Sequence, residues 1–156
     1  MDATIVSQRL RIFLLRLAGF LCIGTTIELL LAEHTKDPIQ LVPFVLCAIG
    51  LLAVLAALFR PQRVTLLALR GVMGLLMVGS LFGIYEHLES NIAFELDIRP
   101  GVGVASVLID ALKGAAPLLA PGILALAGLL AIAATYYHPA LVGRPSRTAF
   151  RKPSLR

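Results

Sequence analysis

Charge is scarce in this chain. Only 15% of its 156 residues are charged and 58% are hydrophobic, against roughly 25% and 45–50% in a soluble domain. So few charged groups argue against a soluble globular fold. Tryptophan is absent, and cysteine occurs twice, at Cys22 and Cys47. No Cys-x-x-Cys pair exists for thiol exchange. Each thiol lies near the middle of an apolar run, where ionisation is disfavoured and the group is a weak nucleophile. Both cysteines are therefore expected to pack as small apolar side chains. The chain also lacks the Gly-x-Ser-x-Gly turn that presents a serine nucleophile. Gly101-Val102-Gly103 is missing the third glycine and the strand-to-helix setting of a dinucleotide site. The three histidines, His34, His87 and His138, all fall at the ends of apolar runs, so no pair at mid-depth can clamp a haem. These gaps remove the common routes to catalysis. The chain is expected not to be an enzyme, and no cofactor is specified.

What the chain does have is four long apolar runs, at 12–32, 39–59, 64–85 and 115–137. Each approaches or exceeds the roughly 20 residues a helix needs to cross a hydrocarbon core of about 30 Å. The expected fold is all-α: a polytopic membrane protein with four transmembrane helices in an antiparallel bundle, and a helical cap between the third and fourth. The first run is longer than a signal-peptide core and no A-x-A site follows it, so it is expected to stay uncleaved. Arg9, Arg11, Arg16, Arg60, Arg63, Arg70, Arg144, Arg147, Arg151, Lys152 and Arg156 fall at the N-terminus, the middle connection and the tail. Glu28, Glu33, Asp37, Glu86, Glu89, Glu95, Asp97 and Asp110 fall in or beside the other two connections. Because cytoplasmic loops carry the Lys/Arg excess, both termini are expected in the cytoplasm, in a bacterial inner membrane. The expected partners are the lipid bilayer and anionic headgroups at the cytoplasmic face. Nucleic acid is not expected despite the net charge of +5.

Residues 1–138 read as a single membrane domain and 139–156 as a basic cytoplasmic tail. The first six residues are expected to be loose. Leu88, Ile92 and Leu96 recur every four residues, which predicts a third helix running on past the membrane surface to Pro100. Val104, Val107, Leu108, Ala111 and Leu112 then form one apolar face. Together these make an outer cap over 88–113, lying on the membrane or packed on the bundle's own end. There is also an internal echo. Leu41-Val42-Pro43 precedes Gly50-Leu51-Leu52-Ala53 at the same spacing as Leu119-Ala120-Pro121 precedes Gly128-Leu129-Leu130-Ala131. Glu33-His34 and Glu86-His87 end the preceding runs. The echo suggests a duplicated hairpin, 10–61 and 64–139, with the cap inserted in the second copy.

A carboxylate within an apolar run is costly, so Glu28 is expected to face the interior or a wet cavity. On the third run Ser80, Gly83, His87 and Asn91 share a face. Gly79 and Gly83, four apart, mark a close helix contact there, expected to be tighter than any at Gly128. If the first and third helices meet at their outer ends, Glu28, Glu33, His34, Glu86 and His87 form a candidate ligand or ion site. A metal, if any, falls to Glu28, Glu86 and His87, although neither Glu-x-x-His nor His-x-x-x-His spacing occurs. Two functions fit. One is a non-enzymatic accessory or assembly subunit of a larger membrane complex, partnered by another membrane protein or by itself. The other is a cation- or proton-binding or transport protein that uses the outer Glu/His cluster.

Overall fold

A computed structural model describes residues 3–142. It contains five α-helices: α1 (Ala3–Leu31), α2 (Val42–Phe59), α3 (Arg63–Ile98), α4 (Val104–Ala111) and α5 (Gly122–Ala134), with a 3-10 turn at Pro38–Leu41. No strand occurs among the described residues. Three stretches, Ala3–Leu31, Pro38–Phe59 and Arg63–Ile98, are long and apolar enough to cross a membrane, and Gly122–Ala134 is a shorter apolar helix. The chain is thus all-helical and suited to a membrane. Helix α1 already includes residues 3–6, which were expected to be loose. Most of the basic tail, 143–156, lies outside the described residues.

Local chemistry accounts for the helix ends. Helix α1 closes in a Schellman motif: His34 N–H donates to the Leu29 carbonyl (2.9 Å) and Glu33 N–H to that of Leu30 (3.1 Å). Glu33 takes the left-handed position with φ 51°, where glycine is usual. Pro43 opens α2, where a missing amide donor costs least. Pro61 lies in the turn to α3, whose start is fixed by a capping box between Gln62 and Thr65. Helix α3 then runs unbroken for 36 residues, roughly 54 Å at 1.5 Å per residue.

Helices α1 and α3 each pack against both α2 and α5, and α4 packs on α3. The shared core contains Ala18 and Cys22 of α1, Cys47 and Val54 of α2, Leu69 and Met73 of α3, and Ala127 and Ala131 of α5. Large apolar side chains also point away from it: Phe13, Phe20, Leu52, Phe59 and Leu81 are all exposed, a surface suited to hydrocarbon rather than water. Gly79 approaches the Leu46 side chain, and a Cβ on Gly83 would lie 3.0 Å from Pro121 Cβ. The closest backbone approach is elsewhere, however. A Cβ on Gly128 would lie 2.8 Å from the Met73 carbonyl oxygen. Carbonyl groups cannot swing aside as side-chain ends can, so Gly128 is the less tolerant site, contrary to the sequence expectation.

Helix α5 has only 13 residues, about 20 Å, short of a hydrocarbon core of about 30 Å. Pro117 and Pro121 lack amide donors and disfavour helix just before them, so 112–121 is a chain of turns. Its carbonyls and that of Ala111 would be orphans without a partner, but α3 answers them. Ser80 donates to Pro121 O (2.7 Å), His87 Nδ1–H to Pro117 O (3.0 Å), and Asn91 to Ala111 O (3.0 Å) and Ala116 O (2.9 Å). Asn91 Oδ1 accepts the Ala116 N–H (2.9 Å). A side chain on Gly114 would collide with Asn91. The other end of α5 is also closed. Arg70 Nε donates to Thr135 Oγ1 (2.7 Å) and its Nη2 to Thr135 O (3.2 Å), while Arg11 reaches Tyr137 O (3.1 Å). Cations at a helix C-terminus also complement its dipole.

The cap takes the second of its two expected forms in part. Val107 and Ala111 are buried against α3, while Val104, Leu108 and Leu112 are exposed. Arg99 joins the two helices by pairing with Glu95 and with Asp110 (2.7 Å). Both carboxylates hold its guanidinium in the charged form.

Asn91→Leu should therefore destabilise the protein by about 2–4 kcal/mol, because it strands two buried carbonyls and an amide. Lys113→Ala, at an exposed position, should stay within about 0.5 kcal/mol of wild type. Thermal or detergent unfolding in lipid nanodiscs reads both, and equal stability would contradict the clasp.

Candidate functional site

The 112–121 turns do more than link two helices. They wall one side of a cavity of about 480 Å³. Helix α1 contributes Thr25 and Glu28, the turn after it His34, and α3 Glu86 and His87. Leu46 of α2 and Leu124 of α5 line its apolar part. We call this the acidic end of the molecule. No lysine or arginine lines the cavity among the described residues.

Four of the five residues grouped from sequence share this space: Glu28, His34, Glu86 and His87. Glu33 does not. In its left-handed position it turns away and makes an exposed pair with Lys36 (3.7 Å), which contributes little to stability. Its part is to set the bend that brings His34 to the cavity wall. Adjacent residues on a helix point about 100° apart, yet Glu86 and His87 both line the wall.

The hydrogen bond to Pro117 O fixes the His87 ring. It places a proton on Nδ1, so in the neutral ring Nε2 carries the lone pair. Burial pushes the His34 imidazole below its ordinary value, and the neighbouring His87 pushes it the same way. Among the described residues no three His, Cys, Asp or Glu side chains gather closely enough to hold a metal ion. That lining suits a ligand of several atoms better than a chelated ion.

Thr25 was visible in the sequence only as a helical neighbour of Glu28. In the structure it is 9% exposed, it lines the cavity, and its Oγ1 has no hydrogen-bond partner. The adjacent Thr26 behaves differently, donating back to Cys22 O (2.9 Å). A second cavity, at the opposite end, is lined by Arg11, Pro61 and His138 among others. We call that the basic end. Burial and then Arg11 lower the affinity of His138 for a proton.

No protein family, curated protein or solved structure matches this chain.

The lowered proton affinity of His34 has a consequence for stability. Its charged form is disfavoured in the folded protein, so the unfolded chain binds more protons just below pH 6.5. The stabilising contribution is complete above about pH 6.5 and is lost as pH falls through the lowered folded value. His138 acts in the same direction. Unfolding midpoints between pH 7.5 and 5 should fall for wild type, less steeply for His34→Gln, and least for His34→Gln/His138→Gln. Parallel curves for all three would contradict this assignment.

Proposed function

We propose that this chain is a four-span integral membrane protein of a bacterial inner membrane, with both termini in the cytoplasm, that binds a cation in the cavity at its acidic end. One observation carries the reading: Glu28 and Glu86 enter a single cavity from different helices, with two imidazoles and no opposing lysine or arginine beside them. Carboxylates at the margin of a hydrocarbon layer are costly unless they serve a site. The four-span arrangement has its own support. Residues from α1, the α2–α3 turn and the segment after α5 meet at the basic end. The clasped turns and the arginine-capped end satisfy backbone groups that α5 alone would leave bare to lipid.

A second reading, an accessory subunit of a larger membrane complex, is favoured by α4. Val104, Leu108, Ile109 and Leu112 form an exposed apolar surface on a helix already anchored through Val107 and Ala111. Under that reading, substitutions on α4 change association with a partner and Glu28→Gln changes nothing.

Isothermal titration of the protein in nanodiscs with monovalent, divalent and organic cations separates the two. The expected result is saturable binding of at least one cation. Glu28→Gln or Glu86→Gln should weaken it about tenfold or more, the scale of one charged hydrogen bond. Binding should also weaken in acid, as pH falls through the lowered value at which His34 takes up a proton beside Glu28, Glu86 and His87. No saturable binding of any cation would overturn the reading and leave the subunit role.

A further inference from the structure

The composition of the cavity narrows the kind of cation it accepts. Its volume of about 480 Å³ is far larger than an ion needs and falls in the range of small-molecule sites, roughly 300–1,000 Å³. No three metal-ligating side chains converge there among the described residues. Its lining is mixed. Glu86, His87 and His34 supply polar wall, and Leu29, Leu46 and Leu124 supply apolar wall. Thr25 lines it too, one helical turn from Glu28 toward the middle of α1.

Thr25 is the observation that points to a ligand. A hydroxyl buried without a partner costs about 1–3 kcal/mol, and a helical threonine normally avoids that by donating to the carbonyl four residues back. Thr26 does so. Thr25 instead keeps a bare, buried Oγ1 in the wall of the cavity. That oxygen can accept one hydrogen bond and donate another, and the cavity is where a partner can sit.

We propose that this cavity binds an organic cation: an ammonium group held by Glu28 and Glu86 and hydrogen-bonded to Thr25, on an apolar body seated against Leu29, Leu46 and Leu124. The proposal rests on the cation-binding reading above and specifies its ligand class. The two carboxylates supply charge complementarity, and the Thr25 oxygen accepts an ammonium N–H that would otherwise lose its water. The apolar wall contributes affinity through buried hydrocarbon. A small hydrated ion gains nothing from that wall, and a neutral molecule of the same shape gains nothing from the carboxylates.

The test uses 1-adamantylammonium, its neutral isostere 1-adamantanol, ammonium chloride and zinc chloride, titrated into the full chain in nanodiscs with empty nanodiscs as the blank. The expected result is saturable binding of 1-adamantylammonium, about tenfold or more tighter than the alcohol, and much tighter than ammonium. Thr25→Val keeps the side-chain shape and should weaken adamantylammonium about threefold to tenfold. Thr25→Ser should restore the lost affinity, which a loss of packing would not predict. Equal affinity for the alcohol would overturn the ionic head and mark an apolar pocket filled by lipid. Tighter binding of zinc or of ammonium, both lost in Glu28→Gln, would overturn the organic class while leaving the cation reading intact. No saturable binding of any probe would remove both.

Discussion

The structure depends on how backbone groups are satisfied where helix is absent. A buried N–H or C=O left bare costs free energy, so a chain of turns packed against helices needs protein partners. The face of α3 that carries Ser80, Gly83, His87 and Asn91 provides that protein. Three of its side chains hydrogen-bond the carbonyls of 111–121, and the fourth, Gly83, lets Pro121 come close. Arg70 and Arg11 close the far end of α5. A helix too short to span is thereby given two finished ends. The space left beside its approach segment is the cavity.

This arrangement also explains why the acidic groups converge. Once 112–121 is fastened to α3, it forms part of the wall of one cavity that Glu28, Glu86 and His87 also line. The strained backbone at Glu33 (φ 51°) completes the ring by turning His34 inward. Non-glycine residues in that conformation cost of order 1–3 kcal/mol and cluster at functional sites. His87 has two roles here, as a clasp through Nδ1 and as a cavity wall. A change at His87 therefore disturbs the fold and the site together, whereas Glu28 and Thr25 affect mainly the site.

Much of the helical plan was legible in the sequence. Runs of 20 apolar residues, proline at helix starts and a four-residue period through Leu88, Ile92 and Leu96 lead directly to α1, α2 and the long α3. The polar stripe at 80, 83, 87 and 91 was visible too, but not its purpose, because a stripe does not say what lies against it. Helix α5 was read too long. Hydropathy does not register that Pro117 and Pro121 remove donors four residues apart, and that pair was the available signal. The close contact at Gly128 was hidden because α5 is rich in small residues all round and shows no stripe. Glu33 was grouped with the site on composition, since a left-handed turn at a glutamate has no sequence signature. Thr25 was passed over because one threonine in an apolar helix is ordinary until its hydroxyl is found without a partner.

The central claim is that the cavity at the acidic end, opposite the one lined by Arg11 and His138, reaches down α1 to Thr25. The direct measurement is thiol labelling of Thr25→Cys in a Cys22→Ala/Cys47→Ala background, in sealed vesicles of known orientation. A membrane-impermeant cationic methanethiosulfonate should react from the side that labels Thr35→Cys, and faster than its anionic counterpart because Glu28 and Glu86 flank the path. A thiol at 25 that stays unreactive while one at 35 labels fully would contradict the account.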